Sequence, residues 1–214
     1  MKILNLYACL GGNRYKWDEV AEALGIEIKV TAVELDLELA KLYQERFPND
    51  IVIVADAHQY LLDHYKEFDF IWSSPPCPTH SRLVSSNKNK IKMKYPDMRL
   101  YQEIILLNKL FNGKFVVENV IPYYEPLIQA KKRGRHLYWC NFNLPNNLNT
   151  RKSPDWSRMT NEIDAWNIFH DYDFRKYKGK QPRSKIARNL VDYEAGKTAL
   201  GIINRENINQ TTMF

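Results

Sequence analysis

Hydrophobic residues along the first 120 positions form short β-branched runs that are separated by longer amphipathic stretches. The short runs predict strands at Ile3–Tyr7, Ile28–Val33, Ile51–Val54, Phe68–Trp72 and Lys114–Val120. The stretches between them predict helices at about 17–24, 39–47, 59–65 and 98–111. Strands that alternate with helices favour parallel pairing through crossover helices, so the pattern predicts an open, mostly parallel α/β sheet.

Polar or reactive residues follow each of these predicted strands. In open parallel sheets, ligands bind outside the carboxyl ends of the strands. We therefore expect a single cleft to collect five residues that lie at those ends: Gly11, Glu34, Asp56, Cys77 and Glu118.

The rest of the chain has a weaker pattern. Residues 78–96 are polar and predict a long loop, which in a compact domain is usually functional or mobile. Beyond residue 139 the periodicity fades until about residue 188, which predicts a small irregular region. A last helix is predicted over Tyr193–Ile203, and the polar tail Asn204–Phe214 is expected to fray.

Charge is distributed unevenly over the 214 residues. The formal net charge is +6 and the isoelectric point is near 9.1, which favours a polyanionic partner. Residues 129–188 carry 14 Lys or Arg and 5 Asp or Glu, a net of +9, against −3 for the rest. The same segment contains aromatic residues that suit either contacts with a nucleic acid or a small core of their own: Trp139, Trp156, Trp166, Tyr172 and Tyr177.

The sequence also limits where the protein works and what it binds. No window approaches the roughly 18 consecutive apolar residues of a membrane span, and the N-terminus lacks the pattern of a leader. Cys9, Cys77 and Cys140 cannot all pair with one another and lack the spacing of a zinc site. We expect a soluble cytoplasmic protein, in a bacterium or a phage-infected cell, without a metal.

Two features near the N-terminus suit an adenosine-bearing cofactor. Gly11 and Gly12 permit a tight turn after the first strand, and Glu34 can accept hydrogen bonds from both ribose hydroxyls. A generic turn with a surface glutamate explains the same residues equally well. Asp56 could accept from an adenine amino group or simply cap the following helix.

Cys77 and Glu118 carry the more specific chemistry. Cys77 follows Pro75 and Pro76 at a strand end, where a rigid turn can aim a thiol into a cleft, so a nucleophile is favoured over core filler. Glu118 emerges from an apolar strand, which suits a carboxyl group that donates a proton near neutral pH. A satisfied carboxylate at a strand end is the alternative.

These motifs, in this order, resemble those of the cytosine-5 DNA methyltransferases, in particular the short phage-type members. The first cofactor motif corresponds to Tyr7–Gly12, the nucleophile motif to Ser74–Cys77 with Ser81, and the Glu-Asn-Val motif to Glu118–Val120. Arg133–Arg135 resembles the later two-arginine motif, and Ala187–Val191 is similar to the closing motif.

The resemblance implies S-adenosyl-L-methionine as the cofactor, S-adenosyl-L-homocysteine as its product, and duplex DNA as the partner. The residues expected to bind the cofactor are Tyr7, Ala8, Leu10, Gly11, Gly12, Glu34, Leu35, Asp56, Ala57, Pro75, Asn189 and Val191. Those expected to act in catalysis are Cys77, Glu118, Arg133 and Arg135. Those expected to contact DNA are Ser81, Arg82, Lys88, Lys90, Lys92 and Lys94.

The implied mechanism adds the Cys77 thiolate to carbon 6 of a flipped-out cytosine. Glu118 would hold ring nitrogen 3, Arg135 would bind the oxygen at position 2, and Arg133 or Arg135 would favour the thiolate. The sequence departs from the family pattern at Cys9, at Pro78 and His80, and at Lys131, and none of these positions takes part in the covalent step.

The resemblance also implies a division of the chain. Residues 1–140 would form the catalytic and cofactor-binding domain, 141–187 a small basic target-recognition region, and 188–214 a helix that returns to the catalytic domain. We expect a monomer, of a type found in restriction-modification systems. An RNA cytosine methyltransferase and a catalytically inactive DNA-binding module remain alternatives, whereas Cys77 disfavours an enzyme that methylates exocyclic nitrogens.

Overall fold

The computed structural model of the chain describes residues 1–82, 95–148, 151–152, 154 and 161–211, with side chains as far as residue 204. Within these residues lie seven strands: β1 Lys2–Leu6, β2 Lys29–Val33, β3 Ile51–Ile53, β4 Phe70–Ser73, β5 Lys114–Val120, β6 Lys131–Arg133 and β7 His136–Cys140. The α-helices of the described chain are α1 Trp17–Leu24, α2 Leu37–Arg46, α3 Ala57–His64, α4 Arg99–Leu110, α5 Glu162–His170, α6 Arg183–Asn189 and α7 Tyr193–Thr211.

The strands form one sheet in the order β3-β2-β1-β4-β5-β7-β6. The first five strands are parallel, and β7 pairs antiparallel with both β5 and β6. The predicted open, mostly parallel α/β sheet is therefore confirmed, and the order of its parallel strands is that of Rossmann-like folds. The order in which strands are added reverses between β1 and β4, because β2 and β3 lie on one side of β1 and β4 and β5 on the other. Such a topological switch point opens a crevice at the carboxyl ends of the strands.

Helices cover both faces of the sheet. Phe70 and Trp72 of β4 pack on one face with Trp17 of α1 and Leu200 of α7. Ile71 packs on the other face with α3 and α4. A strand that is covered on both sides has no solvent face, and this explains why β4 reads as a continuous apolar run rather than an alternating one.

A further hydrophobic cluster joins the C-terminal half of the chain to α2. Leu39 and Leu42 of α2 pack with Trp166, Phe174 and Tyr177. Burial of these rings decides between the two explanations of the aromatic residues. Trp166 and Tyr177 are core side chains, and Trp139 of β7 is buried on the face of the sheet that α4 covers. Tyr172 is half-buried, and Trp156 lies outside the described residues.

The structure corrects two expectations about the second half of the chain. The region predicted to be irregular contains α5 and α6, and the boundary predicted at residue 188 falls inside α6. Helix α7 begins at Tyr193 as predicted but continues to Thr211, through most of the tail that was expected to fray. The hairpin of β6 and β7 had no counterpart among the predicted strands.

Candidate active site

A deep cleft of about 1040 Å³ opens at the carboxyl ends of the parallel strands. Most of the site residues predicted from the sequence line it. They are Tyr7, Ala8, Gly12, Glu34, Leu35, Asp56, Ala57, Pro75, Cys77, Glu118, Arg133, Arg135, Asn189 and Val191. The fold thus brings together residues that are far apart in the sequence. Tyr7 and Val191, for example, are separated by 184 positions.

The glycine turn after β1 is shaped by packing within the protein. Gly11 has φ +68°, and a Cβ atom there would lie 2.3 Å from a ring carbon of Phe47. A Cβ atom on Gly12 would lie 2.2 Å from the carbonyl oxygen of Val191. Leu10 is fully buried, and neither it nor Gly11 lines the cleft. Leu10 and Gly11, which were expected to bind the cofactor, therefore support the turn from within the protein and do not face the cleft.

Glu34 closes this end of the cleft. Its Oε2 accepts from the backbone N–H of Cys9 at 2.8 Å, and its Oε1 accepts from that of Asp36 at 2.9 Å. Burial raises the pKa of the Glu34 carboxyl group, and the two backbone hydrogen bonds oppose that rise. Each carboxylate oxygen keeps a second lone pair, so Glu34 can still accept from a pair of hydroxyls.

Asp56 has the capping role that was one of its two predicted roles, and its contact with an adenine amino group stays a prediction. It is the N-cap of α3, accepts from the backbone N–H of Gln59 at 3.0 Å, and also lines the cleft. The backbone hydrogen bond from Gln59 and the nearby Arg99 hold the pKa of this carboxyl group below its usual range. Leu35, 68% exposed, adds an apolar surface to the same side of the cleft.

The turn that carries Cys77 is fixed by hydrogen bonds to its backbone carbonyls, one from a side chain and two from backbone N–H groups. The side-chain amide of Asn119 donates to the Pro75 carbonyl at 2.9 Å. The Cys77 carbonyl accepts from the N–H groups of His80 and Ser81 at 2.9 and 3.0 Å. The cysteine therefore sits between a clamped proline and a tight turn, on a backbone with little freedom.

The environment of the thiol sets its ionisation. Burial raises the pKa of Cys77 above its usual range, and the negative charge of Glu118 raises it further. The positive charge of Lys185, from α6, lowers it. The sequence had suggested Arg133 or Arg135 for this task, and Lys185 was not predicted.

Glu118 lies on β5, next to β4, the strand that precedes the Cys77 turn. It is 7% exposed, and its Oε1 lies 3.6 Å from Nε2 of His136, a residue of the antiparallel β7. Arg135 is exposed in the turn between β6 and β7 and lines the cleft. The Cys77 thiol follows β4, the Glu118 carboxyl group is on β5, and the Arg135 guanidinium precedes β7. These three strands are consecutive neighbours in the sheet.

The guanidinium of Arg133 is engaged within the protein. Its Nη2 donates to the Leu144 carbonyl at 2.9 Å, and its Nε donates to the Pro145 carbonyl. Lys131, on the same strand, donates to the Phe142 carbonyl at 2.7 Å. Both residues hold the chain that follows β7 against the sheet, so Arg135 has the freer guanidinium for a ligand in the cleft.

The predicted DNA-contacting residues are only partly described. Ser81 pairs with Pro122 in an isolated β-bridge, and Arg82 Nε donates to the Pro122 carbonyl at 3.1 Å, outside the cleft lining. His80 is buried, with Nδ1 2.5 Å from the Tyr124 hydroxyl. Lys88, Lys90, Lys92 and Lys94 lie outside the described residues.

Glu103 of α4 is a second polar residue that the sequence analysis missed. It is completely buried on the apolar face of its helix, among Leu100, Ile104 and Leu107. A charged residue at a position where the helical pattern calls for an apolar one is a signal that could have identified it.

The described part of the chain holds neither a cluster of metal-ligating side chains nor a helix that could span a membrane. No group of three or more His, Cys, Asp or Glu side chains within that part of the chain is arranged to hold a metal ion. Among the helices described, none is both long and apolar enough to cross a bilayer.

Comparison with known sequences decides the family. The family model of C-5 cytosine-specific DNA methylases matches residues 1–127, more than half of the chain. The chain belongs to this family. The matched part of this methyltransferase includes the glycine turn, Cys77 and Glu118, and ends before the β6–β7 hairpin. No curated protein matches the sequence.

Solved structures similar to this methyltransferase share little sequence with it. The putative methyltransferase YhhF of Escherichia coli is 17% identical, with 65% of this chain and 73% of that chain covered and a TM-score of 0.39. A conserved hypothetical protein of Streptococcus pyogenes is 15% identical, with 65% and 83% covered and a TM-score of 0.40. A putative DNA modification methyltransferase from an Escherichia coli prophage is 20% identical, with 58% and 33% covered and a TM-score of 0.37.

Proposed function

We propose that this protein is a DNA (cytosine-5)-methyltransferase that acts on a flipped-out cytosine in duplex DNA through a covalent adduct with Cys77. The observation that carries the proposal is the meeting of Cys77 and Glu118 in one cleft with the glycine turn and Glu34. A nucleophile for carbon 6 and a proton donor for nitrogen 3 are thereby joined to an adenosine-type site.

The cleft fits S-adenosyl-L-methionine as the methyl donor. Its volume of about 1040 Å³ is at the upper end of ligand pockets, which suits a nucleoside cofactor together with a base. Glu34 has free lone pairs for ribose hydroxyls, and Asp56 and Leu35 lie beside it for the adenine. When bound, this cofactor supplies an electrophilic methyl group.

Cys77 would act first, as a thiolate, because a cytosine is too electron-poor at carbon 5 to attack a methyl group unaided. Sulfur forms a bond to carbon 6, and the electron pair of the 5,6 double bond becomes available at carbon 5. After carbon 5 is methylated, a base, which we take to be water, removes its proton. The electron pair re-forms the double bond and the thiolate leaves.

Glu118 and Arg135 would stabilise the charge that develops on the ring. Glu118 would donate a hydrogen bond to nitrogen 3 from its protonated form, and Arg135 would donate to the oxygen at position 2. Arg133, whose guanidinium donates to backbone carbonyls, would support this site by holding the hairpin that presents Arg135.

Exposed basic side chains favour DNA as the partner. Between residues 162 and 190 the rings of Trp166, Phe174 and Tyr177 are buried, whereas the Lys and Arg side chains are exposed to solvent and can neutralise phosphates. The exposed basic residues of this segment are Arg175, Lys176, Lys178, Lys180, Arg183, Lys185 and Arg188. Flipping the base out of the duplex costs a few kcal/mol, which such contacts would offset.

The proposal is tested by incubating the purified protein with methyl-labelled S-adenosyl-L-methionine and, in parallel reactions, mixed-sequence duplex DNA or folded RNA, then separating the nucleosides. We expect label in 5-methyldeoxycytidine from the wild type and none from Cys77→Ser. Label only in RNA cytosines would favour the RNA enzyme. DNA binding without label would favour an inactive module, and label on exocyclic nitrogens would contradict the Cys77 mechanism.

A further inference from the structure

Glu103 connects three parts of the protein that meet at the cleft. Its Oε1 accepts from the Tyr7 hydroxyl at 2.6 Å and lies 3.0 Å from Nδ1 of His58. Its Oε2 accepts from the Ser73 hydroxyl at 2.7 Å. Tyr7 follows β1, His58 lies in the first turn of α3 directly after Asp56 and Ala57, and Ser73 ends β4, four residues before Cys77.

A carboxylate is not needed at position 103 to fill the core. Neighbouring α4 residues Leu100, Ile104 and Leu107 are apolar and buried, so an apolar residue at 103 would complete the same face. A carboxylate that is removed from water costs several kcal/mol unless its lone pairs are satisfied. Partners on three different elements, all close to the cleft, show what this carboxylate accomplishes: it fixes their relative positions.

Tyr7 shows why such fixing matters. It has φ +55°, a conformation that non-glycine residues seldom adopt, and it lines the cleft. Its hydroxyl is bonded to Glu103 and its backbone continues directly into the glycine turn. Burial and the Glu103 carboxylate raise the pKa of the Tyr7 hydroxyl, so this group remains a hydrogen-bond donor.

The same helix also reaches the cleft on its own. Arg99 Nη1 lies 3.2 Å from Oδ2 of Asp56, and Leu100 lines the cleft one turn before Glu103. Helix α4 therefore contacts the cofactor side of the cleft through Arg99 and Leu100, and the nucleophile side through the hydrogen bond between Glu103 and Ser73.

We infer that Glu103 is a positioning residue whose buried carboxylate orients both the cofactor pocket and the Cys77 turn. Through Tyr7 and His58 it orients the surface that receives the cofactor. Through Ser73 it orients the strand that precedes the thiol. The inference rests on the proposed function. It assigns Glu103 no contact with the cofactor, the base or the reacting atoms.

The two arms of this network predict different effects, which a purely structural role would not produce. Tyr7→Phe removes only a hydroxyl, and we expect the dissociation constant of S-adenosyl-L-homocysteine to rise about three- to tenfold, with little change in covalent trapping at saturating cofactor. Ser73→Ala should leave that dissociation constant unchanged and slow the trapping of 5-fluorocytosine DNA by about threefold or more.

Glu103→Leu should show both effects together, and Tyr7→Phe should add nothing to the dissociation constant in the Glu103→Leu background. Glu103→Gln keeps one acceptor for Tyr7 and an amide that can donate to the Ser73 hydroxyl, so it should recover most of both losses. Gln102→Ala changes an exposed residue of the same helix and serves as the control that should match the wild type.

The experiment measures S-adenosyl-L-homocysteine binding by calorimetry, trapping on 5-fluorocytosine DNA, and the unfolding midpoint for each variant. Should Glu103→Leu not fold, Tyr7→Phe and Ser73→Ala still test the inference by the split between binding and trapping. Variants that lower the unfolding midpoint but leave both readouts at wild-type values would overturn it. A wild type that binds no S-adenosyl-L-homocysteine would instead refute the proposed function.

Discussion

Replacing Asn119 with alanine should separate the positioning of Cys77 from the stability of the fold. The Asn119 side chain donates to the Pro75 carbonyl at 2.9 Å and accepts from the Val120 N–H at 2.9 Å, and the residue is 2% exposed. The variant leaves two backbone groups without these partners. A buried polar group left unsatisfied costs about 1–3 kcal/mol, so we expect a loss of about 2–4 kcal/mol in the free energy of unfolding.

The loss of activity should exceed what this destabilisation explains. Asn119 is the side chain that clamps the first proline of the turn before Cys77. A displacement of about 1 Å at a reacting group can cost about 100-fold in rate, so we expect trapping on 5-fluorocytosine DNA to slow by about 30- to 100-fold, at a temperature where the variant is folded.

Asn141 provides a matched control at the other end of β5. Its amide donates to the Gly113 carbonyl at 2.8 Å and accepts from the Phe115 N–H at 3.1 Å, the same type of contact at an exposed position. Asn141→Ala should cost about 1–2 kcal/mol of stability and leave trapping within about threefold of the wild type. Equal trapping rates in the two alanine variants would refute the claim that Asn119 positions Cys77.

Three further predictions concern the electrostatics and packing of the cleft. Burial raises the pKa of Cys77 and Lys185 lowers it, so the rate at which the thiol is alkylated should keep rising with pH beyond the usual thiol range. Lys185→Met should move this pH profile to higher pH and slow alkylation at pH 7.5 about two- to fivefold. An unchanged profile would contradict the role assigned to Lys185. Glu34→Gln should weaken S-adenosyl-L-homocysteine binding about 10- to 100-fold in calorimetry, since an amide NH₂ would face a backbone donor; unaltered affinity would remove Glu34 from the site. Gly12→Ala should lower the free energy of unfolding in urea by about 1–3 kcal/mol, because its Cβ would meet a backbone oxygen at 2.2 Å. Gly201→Ala, which has open space around it in a helix, should leave that free energy unchanged or raise it by up to about 1 kcal/mol. Equal effects would argue against the close approach at Gly12.

The parallel part of the sheet could be predicted from the sequence because its strands are apolar runs between amphipathic helices. Lys114–Val120 was predicted with the bounds that the structure has, and β1 to β4 differ from their predicted bounds by one or two residues. From this order, the general rule on strand ends was enough to place Cys77 and Glu118 at a common edge.

The second half of the chain carries weaker signals. Strand β6 is Lys131–Arg133, a three-residue edge strand without apolar residues, and only pairing with β7 makes it a strand. Helix α6 has seven residues, and α5 begins at an Asn161 cap that follows residues outside the described part. Their helical form depends on packing against α2, which no local pattern encodes.

Side-chain partners were the least accessible to sequence reasoning. Arg133 was expected to act in catalysis, but its guanidinium is directed to backbone carbonyls of a segment that has no pattern of its own. Lys185 becomes visible only when α6 is placed against the strand ends, and the partners of Glu103 only when α4 is placed against them. A motif identifies the residue types of a site, whereas the fold decides which charge lies beside which thiol.

Covalent trapping tests the central claim most directly. The wild type is incubated with S-adenosyl-L-methionine and duplex DNA that contains 5-fluorocytosine, and the product is digested and examined by mass spectrometry. Fluorine in place of the carbon 5 hydrogen prevents the final elimination, so we expect a stable complex with the cytosine bonded to Cys77, and none from Cys77→Ser. Methylation of ordinary DNA by a protein that forms no such complex, or a complex through another residue, would contradict the account.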